Sequence, residues 1–214
     1  MIMSKIPLIK ESNPSLDKLL ANCHRKTYPA KKNIIHEGDQ SDTLYYIIDG
    51  SVSVQADDNE GGNIILAYLN SGDFFGEMAL FEDCVQRSAW VVARRQCEIA
   101  EISYERFHQL VKEDYMILKM LAKQMASRLL KTSQSVKNLM TLDVMGRIAA
   151  TLLDLVKQPD AMTHPDGMQI SITRQDIAKI VGCSREMAGR VLKEMEQNGL
   201  ISAHGKTIVV FGTR

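Results

Sequence analysis

The chain has 214 residues, room for one large domain or two modest ones, and its 45% hydrophobic and 24% charged residues are ordinary for a folded protein. No apolar stretch approaches the run of about 18 residues that spans a membrane, and Met1 to Lys10 hold no apolar region followed by a cleavage site, so no membrane partner and a cytoplasmic location are expected. The net charge of zero hides an asymmetry: residues 1–115 carry 12 Lys and Arg against 18 Asp and Glu, a net of −6, whereas residues 116–170 and 171–214 each carry 7 against 4, a net of +3, which permits a DNA-facing end on a neutral protein.

From Tyr28 to Ile102 the pattern predicts short strands. The runs are 34–35, 44–48, 52–54, 64–69, 89–93 and 97–102. Between them lie Glu37-Gly38-Asp39, Asp49-Gly50, Asp57 to Gly62 and Asn70-Ser71-Gly72-Asp73, the residue types that turns favour. Regular spacing of this kind predicts an antiparallel roll or sandwich. A β-domain without any ligand fits this level of reading equally well. Cys23, Cys84, Cys97 and Cys183 form no C-x-x-C pair, so they read as small apolar residues and no metal site or disulfide is expected.

The character changes after Tyr104. From about Asp114 to Met140 there is no Pro or Gly, and Leu118, Ala122, Met125, Leu129, Thr132, Val136 and Leu139 recur in steps of four and three, one seam of a long helix. Its expected use is a two-stranded coiled coil joining two copies of the chain; a helix packed only on its own domain is the alternative. Thr132 and Ser133 place hydroxyls in or beside the seam, where they fix register or face a ligand. Leu142-Asp143 reads as a hinge, with Asp143 as N-cap of a helix running to about Lys157. The segment Met162 to Gly167 reads as a turn-rich surface loop.

Thr173 caps a short helix that begins Arg174-Gln175-Asp176 and ends at Val181. Gly182 allows a tight turn, and Ser184 caps a second helix from Arg185 to about Asn198. Ala178, Gly182 and Val191 meet the packing demands of a helix-turn-helix, in which the start of the second helix enters the major groove. Arg185, Glu186 and Arg190 fall on its first turns, where arginine bonds guanine O6 and N7 and a carboxylate accepts from cytosine N4. Residues 200–202 and 207–211, separated by Gly205-Lys206, read as a hairpin wing.

The densest motif is Gly72-Asp73-Phe74-Phe75-Gly76-Glu77-Met78-Ala79-Leu80-Phe81, followed by Arg87-Ser88-Ala89. It resembles the phosphate-binding cassette of cyclic-nucleotide-binding domains. From Asn13 to Arg214 the chain is similar to the cyclic AMP receptor protein (catabolite activator protein) family, including its virulence-factor-regulator branch. Three stretches carry the likeness to that branch: residues 159–167, Ile180 to Glu186, and His204 to Val210. The resemblance implies an α+β protein with three parts: a cyclic-nucleotide-binding β-roll (1–113), a dimerisation helix (114–141) and a winged helix-turn-helix (142–214). It implies cyclic AMP as allosteric effector, held by Gly76, Glu77, Met78, Arg87, Ser88 and Ala89, with Thr132 and Ser133 reaching the adenine from the two long helices. Arg87 would neutralise the single phosphodiester charge. Ser88 and the N–H groups of Gly76 and Ala89 would add donors, and Glu77 would accept from the ribose 2′-hydroxyl.

The family's DNA contacts fall on Thr173, Arg174, Gln175, Ser184, Arg185, Glu186, Gly189, Arg190 and Lys193, reading a palindrome as a homodimer on double-stranded DNA. Its contacts with RNA polymerase fall on Thr163, His164, Pro165 and Gly167, and on a second, basic surface at His24, Lys26 and Arg106. Lys26 replaces a His and Arg106 a Lys, while Asp57 stands where the family has a lysine and so argues against a third contact. Gln86 before Arg87, a loop 82–86 without glycine, Met78-Ala79 and Met187-Ala188 are further departures, which bear on affinity and fine DNA preference. The same fold sensing another effector is the first rival, though no cysteine grouping supports a haem or cluster sensor. An enzyme of cyclic nucleotide metabolism is the second; five dispersed histidines supply no metal cluster, so no catalytic residue is assigned.

Overall fold

The computed structural model describes residues 13–57, 63–81 and 86–213. The segment 1–12, most of the turn expected at 57–62, and the loop 82–85 with Cys84 lie outside the described residues, as does Arg214. Helix α1 (Pro14–Ala21) opens on Asn13, whose side chain accepts from the Leu16 N–H at 3.2 Å, with proline at a first-turn position that needs no donor.

Eight strands follow: β1 (His24–Tyr28), β2 (Asn33–Ile35), β3 (Thr43–Asp49), β4 (Ser51–Asp57), β5 (Asn63–Asn70), β6 (Phe74–Phe75), β7 (Trp90–Ala93) and β8 (Cys97–Ser103). They form two antiparallel sheets of order β1-β8-β3-β6 and β2-β7-β4-β5. The first sheet is buried on both faces. Its Ile47, Phe75, Cys97 and Ile99 meet Ile35, Val52, Leu69 and Val91 of the second sheet, while Leu44, Tyr46, Phe74, Ala100 and Ile102 meet the helices. Because side chains alternate along a strand, two-sided burial demands apolar residues at successive positions, as in 44–48 and at Ile99-Ala100. Glu98 and Glu101 interrupt the apolar sequence of β8 and are only partly buried. Strand β1 is an addition to the expected set: its first four residues are exposed, and only pairing with β8, from His24 opposite Glu101 to Tyr28 opposite Cys97, makes it a strand.

A helix absent from the sequence reading, α2 (Tyr104–Glu113), is capped by Ser103, which accepts from the Arg106 N–H at 3.3 Å. Asp114 then breaks helical geometry and caps α3 (Tyr115–Thr141), 27 residues long, accepting from the Met116 N–H at 3.0 Å. The first half of α3 buries Ile117 and Leu121 against the roll. Its second half leaves Leu129, Leu130, Val136, Leu139 and Met140 half to four-fifths exposed. Leu142 is extended, and Asp143 starts α4 (Val144–Leu155) by accepting from the Gly146 N–H at 2.8 Å.

The C-terminal part contains β9 (Met162–His164), β10 (Gly167–Ser171), α5 (Arg174–Val181), α6 (Arg185–Gln197), β11 (Ile201–His204) and β12 (Thr207–Phe211), with sheet order β11-β12-β10-β9. Residues 162–167 are therefore not a free loop. His164 pairs with Gly167 and Thr163 with Met168, leaving Pro165-Asp166 as the turn; a three-residue edge strand is too short to show a period. Ile148, Leu152, Ile177, Val181, Ala188, Leu192, Met195 and Ile208 close this core. Tyr68 of β5 packs against it, Arg94 lies 3.8 Å over the Tyr68 ring and 3.3 Å from Asp160, and Asn70 donates to Gln158 at 2.6 Å.

Cys23, Cys97 and Cys183 are free thiols, and burial pushes the Cys23 thiol up to about 11 against the lowering field of Arg25. Among the described residues no helix is long and apolar enough to cross a membrane.

Adjacent leucines on α4 test which face is inward: Leu152 is 1% exposed and Leu153 46%. Leu152→Ala is expected to lower stability by about 2–5 kcal/mol, and Leu153→Ala by no more than about 0.5 kcal/mol. Urea unfolding at fixed protein concentration measures both, and equal losses would refute the assigned face.

Candidate nucleotide site and nucleic-acid interface

Arg87 is the centre of the N-terminal site. It is 8% exposed, and its backbone is pinned by Asp39 O and the Gly38 N–H at 2.8 and 2.9 Å. The guanidinium meets neutral acceptors: Nη1 donates to Gly76 O at 3.0 Å and to the Tyr104 hydroxyl at 3.1 Å, and Nη2 donates to Thr43 O at 2.8 Å. The Tyr45 ring lies 5.5 Å away and stacks on Phe75. Among the described residues no carboxylate comes within ion-pairing distance of Arg87. A buried cation without a counter-charge is unfavourable, and one that keeps donors to spare is a receptor for an anion. Gly76 is required here: its φ is +76°, and a Cβ would stand 2.8 Å from Arg87 Nη1 and 3.2 Å from Thr43 O.

Glu77 follows directly, 8% exposed, and is held by Arg128 of α3 at 3.1 Å; Arg128 also donates to Phe74 O. The carboxylate is thus fixed beside the cation and keeps acceptor capacity for a hydroxyl. Ser88 is exposed, Ala89 half-buried, and Met78 exposed on a single 3-10 turn. Thr132 and Ser133 lie one helical turn beyond Arg128, exposed and without a hydrogen bond among the described residues, so within one copy the structure does not bring them to the cassette. The sequence reading missed Arg128, Tyr104 and Thr43. Arg128 had a signal, since it precedes Thr132 by four and shares its helix face; Tyr104 and the Thr43 carbonyl had none.

The second cluster is the two-helix unit. Thr173 Oγ1 accepts from the Asp176 N–H at 3.0 Å and donates to Asp176 at 2.7 Å, and Ser184 Oγ accepts from the Met187 N–H at 3.1 Å. Gly182 ends α5 in the left-handed conformation, φ +67° and ψ 58°, which turns α6 away without a Cβ penalty. Arg185, Glu186, Arg190 and Lys193 are exposed along α6 and make no hydrogen bond or ion pair among the described residues. Arg174 and Gln175 stand exposed at the start of α5, and Gly189 faces Arg174, whose Cδ would be 3.7 Å from an added Cβ. Unpaired cations gathered on one helix suit a polyanion.

Of the remaining candidates, Thr163 and His164 lie on β9, Pro165 in the turn and Gly167 at the start of β10; His164 accepts from the Asp166 N–H at 3.3 Å. His24 and Lys26 project from β1, with Lys26 4.8 Å over the Tyr28 ring. Arg106 is tied to Asn22, between α1 and β1, through two donors at 3.2 and 2.5 Å.

The arrangement has relatives throughout. Residues 25–114 match the cyclic nucleotide-binding domain, and residues 146–211 the Crp-like helix-turn-helix domain. The chain is 59% identical over 204 residues to the cAMP-activated global transcriptional regulator CRP of Escherichia coli O157:H7, covering 95% of this chain and 97% of that one. It is 60% identical over 202 residues to the cAMP-activated global transcriptional regulator Vfr of Pseudomonas aeruginosa, covering 93% and 94%. The solved structure of the c-di-GMP responsive global regulator CLP of Xanthomonas campestris superposes with a TM-score of 0.86 at 45% identity, over 93% of this chain and 99% of that one. With this identity along nearly its whole length and both domain types in the same order, the chain belongs to the CRP family of transcriptional regulators.

Proposed function

We propose that this protein is a cyclic-AMP-activated transcription regulator that binds palindromic promoter DNA as a homodimer and contacts RNA polymerase. The observation that carries the reading is the buried Arg87, met among the described residues by neutral acceptors and placed beside a fixed carboxylate. A cyclic nucleotide supplies one negative phosphodiester for Arg87 and one ribose hydroxyl for Glu77. Ser88 and the N–H groups of Gly76 and Ala89 add donors to the phosphate.

Pairing of two α3 helices would cover Leu129, Val136 and Leu139, which one copy leaves in water, and would bring Thr132 and Ser133 of each copy toward the base. The roll to residue 113, the helix 114–141 and the remainder from 142 are the corresponding working units. Ligand bound where α3 meets the roll would favour the arrangement of the two α6 helices that fits DNA. Thr163, His164, Pro165 and Gly167, with His24, Lys26 and Arg106, are the surfaces offered to polymerase.

Arg87→Leu is expected to weaken cyclic AMP binding by about 10–100-fold, the worth of charge-assisted hydrogen bonds, while the dimer stays folded. Calorimetric titration with cyclic AMP, cyclic GMP and cyclic di-GMP checks this and ranks the effectors. An unchanged isotherm for the folded variant would remove Arg87 from the site, and tighter binding of cyclic di-GMP would replace cyclic AMP as effector.

For DNA, Glu186→Ala deletes an acceptor without deleting positive charge. It is expected to cost about 1–3 kcal/mol per half-site at one symmetric pair of positions, while non-specific binding stays the same or rises. Selection on randomised DNA with saturating cyclic AMP measures this. A wild type that enriches no palindrome, or a variant of undiminished stringency, contradicts the recognition-helix assignment.

A further inference from the structure

One built contact plays no part in holding the nucleotide. Gln124 lies one helical turn before Arg128, and its amide bonds the backbone of the strand that leads into the site. Its Nε2 donates to Gly72 O at 2.6 Å, and its Oε1 accepts from the Phe74 N–H at 2.8 Å. Strand β6 is the edge of its sheet, paired on one side with β3 through Tyr45 and Tyr46. Gln124 completes its open side much as another strand would, because a carboxamide is the uncharged side chain that donates and accepts in one plane.

Residues four apart share a face of a helix, so Gln124, Arg128 and Thr132 form one stripe. The first grips the backbone at Gly72 and Phe74. The second grips Phe74 O and Glu77. The third stands one turn further, where α3 leaves the roll. A slip of one residue turns a helix by about 100° and shifts it by about 1.5 Å, enough to break both the amide pair and the Arg128–Glu77 contact.

We propose that Gln124 is a positioning residue that sets the register of α3 on β6, so that occupancy of the site at Arg87 and Glu77 is transmitted to the exposed half of α3. The inference rests on the nucleotide reading above. It separates two properties that a binding residue cannot separate: Gln124 touches no proposed ligand group, so its loss spares affinity and removes the response.

Two variants of the full chain test it. Gln124→Glu keeps the shape but turns a charged acceptor toward Gly72 O, and Gln124→Met keeps the length without either hydrogen bond. Three readouts are needed: hydrogen exchange at the Phe74 amide, cyclic AMP affinity by calorimetry, and affinity for a selected palindromic duplex with and without saturating cyclic AMP. The Phe74 amide is expected to exchange about tenfold faster. Cyclic AMP affinity should change by less than about threefold, and the gain in DNA affinity produced by cyclic AMP should fall at least about tenfold.

An undiminished gain in either folded variant overturns the proposal, as does unchanged exchange at Phe74. A loss of nucleotide affinity as large as the loss of response overturns it too, by making Gln124 part of the binding site. If Gln124→Glu does not fold, Gln124→Met decides alone. A wild type that binds no cyclic AMP defeats the nucleotide reading and this inference with it; a responsive wild type with equally responsive variants defeats the inference alone.

Discussion

Arg87 brings a full positive charge into the roll, where neutral groups hold it and no described carboxylate neutralises it. Two carbonyls and one phenol accept from it, drawn from Thr43, Gly76 and Tyr104, which are far apart in sequence. Tyr104 itself donates to Gly76 O at 2.5 Å and meets Ser41 Oγ at 2.7 Å, so its hydroxyl is fixed by the same network. Had a described carboxylate stood in that position, the charge would be spent internally and an anion would gain little. The neighbouring carboxylate, Glu77, is instead occupied by Arg128.

That ion pair joins the site to the rest of the molecule. Arg128 belongs to α3, whose first half is welded into the roll by Ile117 and Leu121 and whose second half exposes Leu129, Leu130, Val136, Leu139 and Met140. One helix therefore touches the candidate ligand site at its middle and ends at the extended Leu142, from which the DNA-reading part begins. Arg147 spans that junction, donating to Leu142 O and to Val181 O, both at 3.1 Å, and so ties the hinge to the end of α5. Tyr68, Arg94 and Asp160 make a second connection between the roll and the C-terminal core.

Much of this was legible in the residues because it is local. Asp143, Thr173 and Ser184 announced three helix starts, since a cap and its N–H partner lie within three positions. The runs at 44–48 and 97–102 announced strands, although only the fold shows that their apolar residues are buried on two faces. Long-range contacts were hidden: the bonds from Arg128 to Glu77 and from Gln124 to Gly72 span about fifty residues, and no spacing rule connects them. Strand β1 was hidden for the opposite reason, because His24, Arg25, Lys26 and Thr27 are polar and exposed and owe their extended shape to β8. Strand β9 reads as loop in the sequence because three residues before a proline turn carry no period. The family likeness of the cassette located Arg87 and Glu77 without showing what holds them.

The site is built around a cation that no described carboxylate neutralises, so binding must depend on ligand charge more than on ligand shape. The most direct test leaves the protein unaltered: competition calorimetry of cyclic AMP against its uncharged methyl phosphotriester, with the charged phosphorothioate as a control for added bulk at the same oxygen. The account predicts that the neutral ester binds at least about 100-fold more weakly, while the phosphorothioate stays within about tenfold of cyclic AMP. Comparable affinities for the neutral and charged ligands would contradict it.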